Sequence, residues 1–259
     1  LATAAIVSDE LPGLDVDAVA RLEQAGVHVA AVGPASGRCE TLGIRRVLRL
    51  GDLDEIASET WSQPEPAAAG RAPLVAVWGP AGAPGRSTVA LGLASSAAAR
   101  GVETVLVDAD TYGGTLGQLL SVLDDVSGLV AACRAVNNGR PGEVADHLLE
   151  VDPSLRLLTG LPRSDMWPQV RTSALQGVLD ELRRRARLVV ADVGAPIEPA
   201  TGTGPSRNQT AVQVIESADA VVVVGRPDPI GLSRLVRAVH DLASVVPDVT
   251  PVVAVNMMR

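Results

Sequence analysis

The chain has no lysine and no phenylalanine. All 22 of its basic residues are arginines, and its 259 residues include one tyrosine and three tryptophans. GC-rich coding accounts for this bias and lowers the weight of any single missing lysine. Cys39 and Cys133 stand far apart, with no C-x-x-C or Cys/His cluster around either, which leaves metal and disulfide frameworks without support and points to a reducing compartment. Basic charge is also scarce. Thirty acidic residues against 22 arginines give a net charge of −8, which argues against a protein that coats nucleic acid. Small molecules and other proteins are the expected partners. No apolar run approaches the about 20 residues of a membrane span, and no basic n-region followed by an apolar stretch opens the chain. A soluble, cytoplasmic protein is expected, with membrane contact only indirect or through segments outside this sequence. The first residue is Leu1 rather than Met and the chain stops just after an apolar run, so a fragment truncated at its C-terminal end is expected.

Apolar residues are what the chain has in abundance, at 47%, enough for one large α/β domain or two smaller ones. Residues 58–73, SETWSQPEPAAAGRAP, carry three prolines and no apolar periodicity, and read as a linker. Before it, in residues 1–57, the short runs TAAIVS, VHVAAVG and RRVLRL alternate with a helical pattern, DVDAVARLEQAG, and a second helical candidate around SGRCETLG. After it, in residues 74–259, come LVAVWG, TVLVDAD, LRLLTG, RLVVADV, AVVVVG and PVVAVN, apolar at nearly every position. Such runs suit strands of a parallel sheet covered on both faces. Helical patterns lie between them: STVALGLASSAAARG, the stretch from Val170 to Arg187, and GLSRLVRAVHDLASVV. The expected fold is a doubly wound, mostly parallel α/β sheet, with ligands beyond the carboxyl ends of its strands.

Between the first of these strands and its helix stands GPAGAPGRST, residues 79–88. A phosphate-binding loop of pattern G-x-x-x-x-G-K-[ST] works through backbone N–H groups and a helix N-terminus that cradle phosphate, a lysine on the terminal phosphates and a hydroxyl on Mg²⁺. Here Gly85, Arg86, Ser87 and Thr88 hold the closing positions, and Pro80 stands where the first glycine would be. The pattern fails twice, yet its strand-to-helix context is right. A glycine-rich turn that binds nothing remains the alternative. In VLVDADTYGG, Asp108 and Asp110 end the second strand, positions from which one carboxylate holds a Mg²⁺-bound water and the other orients an attacking water. Asp192 ends a later strand after four apolar residues, the place from which a carboxylate holds magnesium through water.

This ordered set resembles the MinD/ParA family of P-loop ATPases. GPAGAPGRST matches the length of the family's deviant loop, G-x-K-G-G-x-G-K-[ST]-T, and VLVDAD, RLVVADVGAP, ADAVVVVGRPDPIGLSRL and VVAVNMMR resemble its later segments. The resemblance spans residues 74–259. It implies ATP or ADP with Mg²⁺, held by Gly79, Gly82, Gly85, Arg86, Ser87 and Thr88, with Pro227 flanking the base and Asn256 reading the adenine edge. It further implies Ser87, Asp108 and Asp192 at the metal, Asp110 and Arg86 in catalysis, and a homodimer. The family's signature lysine falls on Ala81 and its loop lysine on Arg86, whose forked, planar cation is bulkier than an ammonium. Slow or absent hydrolysis follows. Arg207 and Asn208 belong either to the nucleotide or dimer face or to the start of a helix.

In residues 1–57, IVSDELPG resembles the strand end of response-regulator receivers, with Ser8 at the phosphoacceptor position, and GIRRVLRLG resembles a later receiver segment, with Leu50 at the lysine position. A partial, degenerate flavodoxin/receiver-like segment is one reading, and an anonymous βαβ piece is the other. A degenerate receiver ahead of a MinD-like ATPase is the arrangement of the CpaE/TadZ family, which implies a role in placing pilus-assembly or secretion machinery, at the cell pole or the inner face of the membrane. Two alternatives stay open: an active ParA/MinD ATPase for chromosome partition or septum-site determination, and a scaffold that binds no nucleotide. His28, His147 and His240 are assigned to structure. The run RRRAR, residues 183–187, reads as a solvated helix end rather than a nucleic-acid patch.

Overall fold

A computed structural model describes residues 4–8, 11, 14–24, 27–32, 37–44, 46–48, 71–122, 126–198, 205–247 and 249–257. Asp9, Leu50, residues 58–70 and residues 199–204 lie outside these. Two compact units divide the chain, Leu1–Ala69 and Gly70–Arg259.

The first unit is a parallel three-stranded sheet in the order β1 (Ala4–Val7), β2 (His28–Val32), β3 (Arg46–Leu48). Helices α1 (Val16–Gln24) and α2 (Gly37–Thr41) make the two crossovers. Asp15 opens α1 by accepting a hydrogen bond from the Ala18 N–H at 2.8 Å, so an otherwise orphan helix donor is satisfied. Val19 and Leu42 pack on Val29, Ala31 and the buried thiol of Cys39.

The second unit is built on seven strands in the order β10-β9-β4-β8-β5-β7-β6. Those that set the site are β4 (Leu74–Trp78), β5 (Thr104–Ala109), β7 (Leu155–Leu158), β8 (Leu188–Val193), β9 (Ala220–Gly225) and β10 (Val252–Val255), all parallel. Only β6 (Leu149–Asp152) runs antiparallel, against β7. Two-residue alternation sorts their side chains. Leu74, Ala76 and Trp78 of β4, with Val105 and Val107 of β5, meet the helices on one face, namely α5 (Gly128–Asn137), α6 (Thr172–Arg185), α7 (Gln209–Glu216) and α8 (Pro229–Val245). Val77, Leu106 and Val190 meet Ala90, Ala94 and Ala98 of α3 (Arg86–Ala98) on the other, where a short α4 (Leu116–Leu119) also packs. The small alanines of α3 let that helix lie close to the sheet directly after the loop. This is the expected α/β, mostly parallel architecture.

Two expectations need correction. Val252, Val253 and Val255 of β10 are exposed, because β10 is an edge strand, whereas its unbroken apolar run reads as one covered on both faces. The run RRRAR is not simply a solvated helix end. Arg183 is buried, with Nε donating to the Ala72 carbonyl at 2.8 Å, one terminal nitrogen to the Ser217 carbonyl at 3.0 Å, and the other paired with Asp219 at 2.6 Å. Asp219 also accepts the Leu74 N–H at 2.7 Å, so one ion pair ties the end of α6 to the start of β4. Arg184 and Arg185 both pair with Glu181 one turn earlier.

Candidate nucleotide site

The loop between β4 and α3 is shaped by three glycines, one for close packing and two for their backbone conformation. Gly79 is buried against β9, where any Cβ would strike the Val224 carbonyl. Gly82 and Gly85 have φ of +78° and +92°, the left-handed region that L side chains avoid. Gly85 is the N-cap of α3 and offers no side chain to cap it, which leaves the first-turn N–H groups of Arg86, Ser87 and Thr88 facing the loop's interior without a side-chain acceptor. A turn closed by the Ala83 N–H on the Pro80 carbonyl at 3.0 Å sets the outer shoulder. Trp78, the last residue of β4, is pinned beneath by its indole N–H on the Ala195 carbonyl at 2.9 Å.

Register brings the acids to this loop. Asp108 and Asp192 are direct partners in the β5–β8 pairing, and each continues the α3-facing row of its strand. Both are almost wholly buried. Burial, and then the neighbouring Asp192, push the Asp108 carboxyl up to about 7, although the Leu116 and Asp110 N–H groups donate to it. Burial likewise raises Asp192 to about 6, against a hydrogen bond from Ser87 and the charge of Arg86. Its second oxygen, Oδ2, is buried with no hydrogen-bond partner. Asp110 accepts the Tyr112 N–H at 2.8 Å and the Gly113 N–H at 3.2 Å, which holds its carboxylate at the end of β5.

Arg86 leaves the loop rather than curling over it. Its guanidinium donates to the Val193 carbonyl at 2.9 Å and lies 3.6 Å from Asp110. Asn256, at the end of β10, presses against Gly85 and donates to the Pro84 carbonyl at 3.2 Å. Pro227 is exposed on the turn between β9 and α8, and Thr88 is exposed on the first turn of α3. Thus Gly79, Gly82, Gly85, Arg86, Ser87 and Thr88 form one loop-and-helix unit, Asp108, Asp110 and Asp192 stand beside it, and Asn256 closes one flank.

Several residues at the site were not singled out from the sequence. Gly114 and Gly160 flank the Asp108 carboxylate so closely that a Cβ at either would collide with it. The Thr115 hydroxyl donates to that of Ser87 at 3.2 Å. The glycine pair that follows Asp110 in DTYGGT is the signal that points to Gly114 and Thr115, whereas Gly160, in LTGLP, carries none. Arg207 stacks on Tyr112, 3.9 Å from the ring centroid, and donates to the Thr111 carbonyl at 2.7 Å, while Tyr112 hydrogen-bonds Asn208. Asn208 also stands at the N-cap of α7 without capping it, so this pair both opens a helix and braces the segment after β5.

The donor set fits a nucleotide with its cation. Two partnered-register carboxylates held close in low dielectric are each driven toward protonation unless a cation shares them, and Asp192 Oδ2 is an acceptor that no protein donor reaches. Ser87 adds a hydroxyl at the same place. Among the described residues no three His, Cys, Asp or Glu side chains converge on one point, and magnesium is an ion that keeps much of its water and takes few protein ligands. The uncapped first turn of α3 suits an anion.

No protein-family model and no curated protein matches the chain. Solved structures do. A ParA family ATPase from Chlorobium tepidum TLS superposes with a TM-score of 0.58 at 17% identity, over 71% of this chain and 74% of that one. The septum site-determining protein MinD of Pyrococcus horikoshii, in complex with Mg-ADP, gives 0.51 at 17% identity over 70% and 68%. The kinase domain of the Escherichia coli tyrosine kinase ETK gives 0.55 at 16% identity over 74% and 70%. The chain therefore has the α/β fold of the ParA/MinD P-loop ATPases, a fold that a tyrosine kinase domain also carries. Among the described residues no helix is long and apolar enough to cross a membrane.

Proposed function

We propose that this protein binds ATP and Mg²⁺ as a ParA/MinD-type molecular switch that hydrolyses slowly or not at all. The observation that carries this reading is the buried, unpartnered Asp192 Oδ2 beside Ser87, opposite Asp108 and next to an uncapped glycine-rich loop. A MinD of the same fold was solved with Mg-ADP, which supports the ligand class. In this reading the N–H groups of residues 85–88 would hold the terminal phosphates, Ser87 with Asp108 and Asp192 would hold the cation, and Asp110 would orient a water. Magnesium, when bound, neutralises phosphate charge. Pro227 and Asn256 flank the base once the Asn256 amide leaves the Pro84 carbonyl. Arg86, committed to Val193 and Asp110, supplies less charge to the terminal phosphate than a free cation on the loop would, and Ala81 supplies none.

The finer assignment follows the arrangement of a receiver-like segment ahead of a MinD-like ATPase: a CpaE/TadZ-type protein that dimerises through the loop face and places a pilus-assembly or secretion machine in the cell. Residues 1–57 then act by contact, since Ser8 replaces the phosphoacceptor. Sedimentation with and without Mg-ATP tests the switch. A doubling of mass with nucleotide is expected, and an unchanged monomer with nucleotide bound would reject the dimer. One observation favours the scaffold reading instead: Arg86 is already engaged by Val193 and Asp110, and Asn256 by the Pro84 carbonyl, and nucleotide-independent function in an Asp192→Asn variant would establish it.

A further inference from the structure

We propose that the cavity on the outer flank of the loop is a second ligand site, for a small organic anion with a flat apolar body. It measures about 540 Å³, within the range of about 300–1,000 Å³ typical of small-molecule pockets. It shares no lining residue with the cavity beside Asp108 and Asp110, and meets the loop only at Pro80, Ala81 and Gly82. The floor is Trp78, held rigid by its bond to Ala195, and Ile197, Ala238 and Val245 give it apolar sides. Trp78, Ile197 and Ala238 are themselves packed and nearly buried, so the apolar base of the cavity is already ordered before a ligand enters.

The rim sets the polarity. Arg234 and Arg237 stand one turn apart on α8, and among the described residues neither pairs with a carboxylate, in contrast to Arg183, Arg184, Arg185 and Arg226. Arg234 is oriented by a hydrogen bond to the Ala81 carbonyl at 3.2 Å, which engages only one of its five donors. Two acids also line the cavity. Glu198 is engaged by the Asn208 amide at 3.2 Å, and Asp241 lies seven residues beyond Arg234, about 10 Å farther along the helix axis. The cations therefore gather at the loop end and an acceptor at the far end. A triphosphate is overcharged for this balance. A monoanion with its acidic group toward the loop and a hydrogen-bond donor at its other end fits it.

The probe is 8-anilinonaphthalene-1-sulfonate, titrated by fluorescence into the full chain, with Arg237→Glu and Ser244→Trp as variants. Both positions are exposed, and matched thermal melts check that the fold is kept. Saturable binding to one site is expected in the nucleotide-free chain, weakened by about ten-fold or more in each variant. Absence of binding, or equal affinity in the native chain and both variants, would each overturn the proposal. The variant comparison needs no nucleotide, so the proposal can stand or fall apart from the nucleotide reading.

Discussion

At the scale of single residues, the site is decided by what each charged group is already committed to. Arg86 is spent on a backbone carbonyl and on Asp110, and Ala81 offers no charge at all. Phosphate release by the native protein is expected near background. The double substitution Ala81→Lys with Arg86→Lys should raise it, and unchanged turnover would show that loop shape, not the cation, is limiting. The acids give a pH dependence whose sign is fixed. Asp108 rises to about 7 and Asp192 to about 6 in the folded state, against about 3.9 for an unfolded aspartate. The native state then holds more protons than the unfolded one between about pH 4 and 7, so stability falls as pH rises through that window and levels off above it. Urea midpoints measured at pH 5 and pH 8 without nucleotide or Mg²⁺ should show the fall. Asp108→Asn should flatten it.

At the scale of elements, the loop and the buried arginine make separable predictions. Gly85→Ala forces a left-handed alanine, at about 1–2 kcal/mol, and drives its methyl into the Asn256 amide. Nucleotide affinity is expected to drop in a titration with a fluorescent ATP analogue while the fold survives. Arg183→Met leaves the Ala72 and Ser217 carbonyls without their donor, which should cost about 1–3 kcal/mol in urea unfolding and leave nucleotide affinity unchanged. The six apolar runs after residue 73 were legible as strands, five of them because strands inside a covered sheet demand apolar residues at nearly every position, and β10 although it is an exposed edge. β6 was not legible, since LEVD is a half-polar edge, and α5 was hidden by its apolar, glycine-led sequence. The acids and the loop were legible as strand ends and a strand-to-helix turn. What sequence does not carry is commitment across the fold: that Arg86 turns to Val193, that Asn256 lies on Pro84, and that Arg183 is a buried clamp all depend on contacts between residues far apart in the chain.

At the scale of the whole molecule, the chain joins a small three-stranded unit to one with the ParA/MinD fold, and every residue of the proposed nucleotide site lies in the second. Residues 70–259 alone are therefore expected to bind nucleotide as tightly as the full chain, whereas deleting residues 1–69 should abolish localisation in cells. Loss of both together would join the two units into one functional body. The central claim is that Asp192, Asp108 and Ser87 beside the uncapped loop make a Mg²⁺–nucleotide site despite the missing lysines. Calorimetric titration of the full chain with ATP, with and without Mg²⁺, tests it most directly. One nucleotide per chain, bound saturably and more tightly with Mg²⁺ than without, is the expected result, and no binding at millimolar ATP with Mg²⁺ present would contradict it.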